Sequence, residues 1–189
     1  MMEESSANKI QIICISGKAR HGKDTVAGYL KTEMERLGYR TIVTHYGDLV
    51  KYISKQFFNW NGEKDEIGRT ILQKVGTDIF RKKDPDYWVR FINSVIDICP
   101  TLYDCWIIPD CRFPNEIESM YGLNRYVTHL HVTRGDIFDN GLTEEQKNHP
   151  SETALDEIEP DFVVLNTGTL TQLQDEVRDL VNNNFLPKN

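Results

Sequence analysis

Residues 10–25 of the 189-residue chain read Ile-Gln-Ile-Ile-Cys-Ile-Ser-Gly-Lys-Ala-Arg-His-Gly-Lys-Asp-Thr. The apolar run at 10–15 is typical of a buried strand. Gly17 to Lys23 fits the pattern G-x-x-x-x-G-K, and an amphipathic helix is predicted directly after it. In this strand–loop–helix setting, successive main-chain N–H groups and the helix N-terminus surround an anion. The stretch therefore predicts a phosphate-binding loop.

The sequence of the loop also indicates its ligand, which we expect to be ATP with Mg²⁺. Lys23 is predicted to be a catalytic residue, because it would place its ammonium on the β- and γ-phosphates. Asp24 stands where a Ser or Thr that touches Mg²⁺ is usual; it could hold a metal-bound water, while Thr25 could contact a phosphate. Arg20 could lean over the triphosphate or face water. The predicted ATP-binding residues are Gly17, Lys18, Ala19, Arg20, His21, Gly22, Lys23, Asp24 and Thr25.

The rest of the chain alternates between predicted strands and helices. Strands are predicted at 10–15, 41–44, 104–108 and 161–165, and one more is predicted within 125–133. Helices are predicted at 23–37, 49–58, 67–80 and 171–181, and one more is predicted to begin at Asp84-Pro85, with Asp as its N-cap. Such alternation predicts an α/β fold with a mostly parallel sheet and helices on both faces. Ligands then bind at the carboxyl ends of the strands.

Length and composition limit the organisation and the function classes. We predict a flexible tail at 1–8, a single domain at 9–186, and within it a short lid at about 135–150, a polar segment rich in turn residues. No apolar run approaches the roughly 20 residues of a membrane span, and the N-terminus lacks a signal peptide's apolar core, so a cytoplasmic protein is expected. The net charge of −7 disfavours binding to a nucleic acid polymer. Four scattered cysteines predict free thiols rather than a zinc site.

The third predicted strand ends in Pro109-Asp110-Cys111-Arg112. An acidic residue after an apolar strand is typical of a carboxylate that organises Mg²⁺ through water, although strands also end in Asp for turn reasons. Arg112 could grip a phosphate in a bidentate manner; the alternative is a salt bridge with Glu116 or Glu118. We therefore predict catalytic roles for Asp110 and Arg112.

Other polar residues near predicted strand ends are weaker candidates, because most lysines and arginines are solvated. Arg134 ends the fourth strand and could fold over the transferring phosphoryl group as a further catalytic residue. The predicted substrate-binding residues are Asp48, Lys51, Arg81, Trp88 and Arg112. For the His149-x-Ser-Glu cluster, we predict that Ser151 caps a helix, that Glu152 reaches back from its first turn and that His149 orients the lid.

These segments together make the chain similar to a known family. It resembles the deoxynucleoside monophosphate kinases of bacteriophages and, more distantly, animal-type phosphomevalonate kinases, both in the adenylate-kinase-like branch of P-loop NTPases. The pieces of this sequence that match lie at 16–25, 47–51, 75–81, 84–89, 107–116, 131–134 and 161–166. Gly-Lys-Asp at 22–24 and Asp-x-Arg at 110–112 are the most specific of them.

The resemblance implies a five-stranded parallel sheet with ATP on the 17–25 loop and the acceptor between the helices after strands two and three. It also implies that Arg81, Arg112 and Arg134 face the acceptor or the transferred phosphate. The expected partner is a small phosphorylated substrate, a nucleoside or deoxynucleoside monophosphate, and a homodimer is allowed. Two alternatives stay open: a kinase of phosphomevalonate or dephospho-coenzyme A, or a regulatory module that binds nucleotide without catalysis.

Overall fold

The structure is a computed structural model, and it describes residues 9–122, 124–135 and 138–187. The predicted tail at 1–8 lies outside the described residues. None of the helices in the described ranges combines the length and the apolar character that crossing a bilayer requires.

A five-stranded sheet forms the centre of the fold. Its strands are β1 (Ile10–Ser16), β2 (Thr41–Val43), β3 (Cys105–Ile108), β4 (Arg125–Thr133) and β5 (Phe162–Leu165). Their order is β2-β3-β1-β4-β5, and every neighbouring pair is parallel. The central strand β1 pairs with β3 on one side and β4 on the other, so that the phosphate-binding loop leaves the middle of the sheet. The predicted five-stranded parallel sheet is confirmed.

Helices follow most of the strands. They are α1 (Lys23–Arg36), α2 (Tyr46–Phe57), α3 (Glu66–Gln73), a π-helical segment (Lys74–Arg81), α4 (Tyr87–Ile98), α5 (Pro114–Glu118), α6 (Glu144–Lys147), α7 (Pro150–Thr153) and α8 (Leu170–Asn184). The segment predicted as the lid, 135–150, contains α6 and begins α7; residues 136 and 137 in it lie outside the described part.

The core has two layers, one on each face of the sheet. Ile13 and Ile15 of β1 pack with α1 and α8, whereas Ile12 and Cys14 pack on the opposite face with residues of α2 and α4. Successive side chains of a strand point to opposite faces, and a parallel strand covered on both faces therefore reads as a continuous apolar run. This is why β1 was recognisable from its sequence, and it confirms helices on both faces.

Two helix predictions need correction. The predicted helix at 67–80 is divided, because α3 ends at Gln73 and the main chain continues as a π-helix to Arg81. The next helix does not begin at Asp84-Pro85; its N-cap is Asp86. The main-chain oxygen of Asp84 accepts a hydrogen bond from Tyr87 N (3.2 Å) and its carboxylate binds Arg90, so this residue closes a turn before the helix.

The prediction for the His-x-Ser-Glu cluster is also wrong about the cap. His149 is the N-cap of α7, and its Nδ1 accepts a hydrogen bond from Ser151 N (3.2 Å). Pro150 occupies the first helical position, where proline is well suited, and this places Ser151 inside the helix. Glu152 does not reach back to the cap; its carboxylate extends to the phosphate-binding loop.

Candidate active site

The phosphate-binding loop is shaped by two glycines in the left-handed region. Gly17 has φ 140°, and a Cβ there would lie 2.2 Å from the main-chain oxygen of Val132 on β4. Gly22 has φ 94°, and a Cβ there would lie 2.3 Å from Nδ2 of Asn166 after β5. Glycine therefore lets the loop approach the neighbouring strands closely and turn into α1.

Lys23 lies inside the loop rather than in solvent. Its Nζ donates hydrogen bonds to the main-chain oxygens of Gly17 (2.7 Å) and Lys18 (2.8 Å). Burial, followed by repulsion from Arg112, lowers the pKa of Lys23 to about 7. A phosphate oxygen beside this ammonium would raise the pKa of Lys23 again, since a nearby opposite charge favours the charged form.

One cavity of about 510 Å³ opens beside the loop, between α2, the π-helical segment, α4 and the carboxyl end of β3. Seven basic side chains contribute to its wall: Arg20, Lys23, Lys51, Lys64, Arg69, Arg81 and Arg112. Four acidic ones do so: Asp24, Asp110, Glu116 and Glu152. The wall therefore has an excess of positive charge in a chain whose net charge is −7, which favours an anionic ligand.

Asp110 joins the end of β3 to the start of α2. Its two carboxylate oxygens accept hydrogen bonds from Tyr46 N (3.0 Å) and Gly47 N (2.7 Å), two of the N–H groups that a helix N-terminus leaves without an intrahelical partner. Burial raises the pKa of Asp110, and these N–H groups oppose that rise. The carboxylate thus fixes the wall of the cavity, and its predicted role toward Mg²⁺ through water stays a prediction.

Asp24 is the more accessible of the two predicted metal residues. Its side chain is 83% exposed, and its Oδ1 accepts a hydrogen bond from His45 Nε2 (2.9 Å). That bond raises the pKa of His45 and lowers the pKa of Asp24. Within the described residues, no group of three or more His, Cys, Asp or Glu side chains could hold a metal ion.

Arg81 and Glu116 form a buried ion pair at the cavity wall. Arg81 Nη1 also donates to Pro85 O (3.0 Å) and Asn115 Oδ1 (3.1 Å). Its Nε is buried and has no hydrogen-bond partner in the part of the chain that the structure describes. Burial raises the pKa of Glu116 to about 7, although Arg81 opposes this. The predicted substrate-binding Arg81 is therefore positioned by a carboxylate from α5.

Arg112 and the phosphate-binding loop share one carboxylate that the sequence did not assign to the site. Arg112 Nη1 donates to Glu152 Oε1 (2.6 Å), and Ala19 N in the loop donates to Glu152 Oε2 (3.0 Å). Neither alternative salt-bridge partner of Arg112 is correct; Glu116 instead accepts from the main-chain N of Arg112 (2.6 Å). The signal in the sequence that could have identified Glu152 as a site residue is its place in the His-x-Ser-Glu cluster.

The other predicted substrate-binding residues differ in how they meet the cavity. Lys51 and Trp88 contribute to its wall, and the Trp88 indole N–H donates to Gly76 O (2.9 Å). Asp48 pairs with Lys51 Nζ (2.7 Å) and has a 63% exposed side chain. It is not among the described residues that form the cavity wall.

Several predicted catalytic or ATP-binding residues lie around the loop but outside this cavity wall. Arg134 Nε donates to Asn166 O (3.2 Å), and its guanidinium lies 4.3 Å from the Phe138 ring centroid. His21 is buried beside it and accepts from Arg134 N (3.3 Å). Thr25 is exposed on the first turn of α1. The structure thus unites Lys23, Arg81, Arg112 and Asp110, and it places Arg134 on the β4–β5 side of the loop.

Comparisons with known proteins agree with this geometry. A family model described as deoxynucleotide monophosphate kinase matches residues 41–177. The chain is 29% identical over 178 residues to the uncharacterised protein ORF77 of Ictalurid herpesvirus 1 (strain Auburn), covering 93% of this chain and 70% of that protein. It is 28% identical over 115 residues to the deoxynucleotide monophosphate kinase of Escherichia phage RB69, covering 60% and 44%. It is 29% identical over 113 residues to that of Enterobacteria phage T4, covering 59% and 44%. The match thus spans less than half the length of either phage enzyme.

Proposed function

The chain belongs to the deoxynucleotide monophosphate kinase family, and we propose that it transfers the γ-phosphate of ATP to a nucleoside or deoxynucleoside monophosphate. The observation that supports this most is the cavity in which a phosphate-binding loop and an excess of basic side chains meet. ATP would bind with its phosphates on the main-chain N–H groups of the loop and the ammonium of Lys23. The monophosphate would bind between α2, the π-helical segment and α4.

The acceptor side of the cavity provides for both parts of a nucleotide. Arg112, Arg81 and Lys51 contribute to the cavity wall. The two arginines would bind the acceptor phosphate, and Lys51 would add a third positive charge. Val50, Leu72 and Trp88 supply an apolar wall on which a base could pack. These residues fit an acceptor that has one charged end and one flat apolar end.

The reaction needs no general base, because the attacking phosphate oxygen is already anionic. The bond between Pγ and the β–γ bridging oxygen breaks, and a bond between Pγ and the acceptor phosphate oxygen forms; ADP and a nucleoside diphosphate are the products. Lys23 and Arg112 would neutralise charge on the transferred group. Asp24 and Asp110 would hold Mg²⁺ through water, and the ion would supply further charge neutralisation when bound. Closure of the 135–150 segment would exclude water.

The test is coupled ADP release with ATP and Mg²⁺ against each NMP and dNMP, phosphomevalonate and dephospho-coenzyme A. We expect turnover with one or more nucleoside monophosphates, its loss in Lys23→Ala, and normal turnover in Lys55→Ala, a matched change at an exposed residue of α2. Turnover with a different acceptor alone would overturn the substrate. ATP binding without turnover on any acceptor would favour the regulatory module.

A further inference from the structure

The carboxylate of Glu152 lies between the two groups of the site that are expected to bind phosphates. One oxygen accepts from the loop N–H of Ala19 (3.0 Å) and the other from Arg112 (2.6 Å). The side chain is only 7% exposed, and its negative charge raises the pKa of Lys23 while burial lowers it. A carboxylate therefore fills the part of the loop where a phosphate oxygen would be stabilised.

The main chain around Glu152 is tied to the same loop. Lys18 Nζ donates to the main-chain oxygen of Glu152 and forms an ion pair with Asp156. Lys18 thus faces α7 and the residues after it. Lys18 and Ala19, two consecutive residues of the loop, both bind this segment. Displacement of the Glu152 carboxylate therefore removes one of the contacts by which the loop holds 150–156.

The N–H donors of Ala19 and Arg112 differ in whether they can bind the Glu152 carboxylate and a phosphate at the same time. Ala19 has a single main-chain N–H, and a bond to Glu152 uses it. Arg112 has five N–H donors and could keep part of its contact while turning to a phosphate. Two anions beside one buried ammonium also repel each other, so that an incoming phosphate oxygen disfavours the carboxylate at its present position.

We propose that Glu152 is a built-in competitor for the phosphate site: phosphates of the substrate displace its carboxylate from the loop, and α7 is released as they bind. This rests on the proposed function for the identity of the phosphates, but not on turnover. Through Glu152, the 150–156 segment is released when a strongly charged phosphate chain occupies the loop.

The first experiment compares binding of inorganic tripolyphosphate to the full chain and to Glu152→Gln by titration calorimetry at fixed ionic strength. Glutamine keeps the shape but loses the charge-assisted bond to Arg112, so the competing state is weakened. We expect the dissociation constant to fall about tenfold, because apparent affinity scales with the fraction of protein that is competent to bind. Glu157→Gln, the same change at an exposed residue directly after this segment, should alter the dissociation constant less than twofold.

The loss of one negative charge could by itself tighten binding of an anion, and a second measurement on the parent chain removes that ambiguity. We expect saturating tripolyphosphate to speed amide hydrogen exchange at 150–156. Unchanged or slower exchange there, or an equal or weaker affinity in Glu152→Gln, would overturn the inference.

The two proposals fail separately. Tighter binding and faster exchange in a protein that phosphorylates no nucleotide would retain the competitor and reject the function. An active kinase whose Glu152→Gln variant binds tripolyphosphate as the parent does would retain the function and reject the competitor. Absence of tripolyphosphate binding in both proteins would overturn the competitor, while the turnover assay alone decides the function.

Discussion

Replacement of Glu116 by alanine removes the carboxylate that the buried guanidinium of Arg81 contacts. The two side chains are 3% and 9% exposed, so water cannot replace the lost partner without a rearrangement of α5. Glu116 Oε2 also accepts from the main-chain N–H groups of Arg112 (2.6 Å) and Phe113 (3.0 Å), and these lose their acceptor as well.

The expected loss follows from these contacts. Removal of one partner of a buried ion pair destabilises a protein by about 3–5 kcal/mol. A buried donor left without an acceptor adds about 1–3 kcal/mol, though contributions within one network are not additive. We therefore expect Glu116→Ala to lower the free energy of unfolding by at least about 4 kcal/mol. Arg81→Met together with Glu116→Met removes both charges and should be less harmful than the sum of the single changes.

The assay is urea unfolding at pH 7.5, followed by tryptophan fluorescence, with Glu118→Ala as an exposed control on the same helix. The control should change the free energy of unfolding by less than about 0.5 kcal/mol. A loss below about 1 kcal/mol in Glu116→Ala, or strict additivity in the double variant, would refute the buried pair as the structural support of Arg81.

Three further expectations concern the loop and its neighbours. Gly17→Ala should abolish ATP binding in calorimetry, because its Cβ would lie 2.2 Å from the Val132 oxygen at a φ of 140°; binding within twofold of the parent would contradict this. Burial lowers the pKa of His131 below its unfolded value, so that protonation of this side chain favours unfolding. The urea midpoint should therefore fall as the pH drops from about 7 to about 5, and it should fall less steeply in His131→Asn. Equal dependence of the midpoint on pH in the two proteins would contradict this. Arg112→Met should reduce kcat/KM about a hundredfold in the coupled assay, and more than Arg134→Met, which lies outside the cavity wall; the opposite order would contradict the site.

The elements that the sequence predicted best are those with a strong local signal. The apolar runs indicate four of the strands to within one residue, and β4 fills the whole range that was predicted to contain a strand, Arg125–Thr133. The spacing of apolar residues at 67–80 fits an α-helix and a π-helix alike, and the change of hydrogen-bond partner after Gln73 leaves no trace in it. At 84–86, two aspartates flank a proline, and only the turn closed by Asp84 shows that Asp86 is the cap.

The residues of the candidate site also differ in how far the sequence could predict them. The glycines and Lys23 were predictable because the loop is a contiguous pattern whose geometry depends on those residue types. The partner of Arg112 was not, since Glu152 lies 40 residues further along the chain and reaches it through the packing of α7 on the loop. Likewise, the sequence made Arg81 a candidate for the acceptor site but could not show that Glu116 holds its guanidinium.

The most direct test of the proposed activity follows the transferred atom itself. ATP labelled with ³²P at the γ position is incubated with Mg²⁺, the protein and each nucleoside monophosphate, and the products are separated by thin-layer chromatography. We expect the label in a nucleoside diphosphate with the parent chain and its absence there with Lys23→Met. Label that stays in ATP or appears only as inorganic phosphate, in a protein shown to bind ATP, would contradict phosphoryl transfer to a nucleotide.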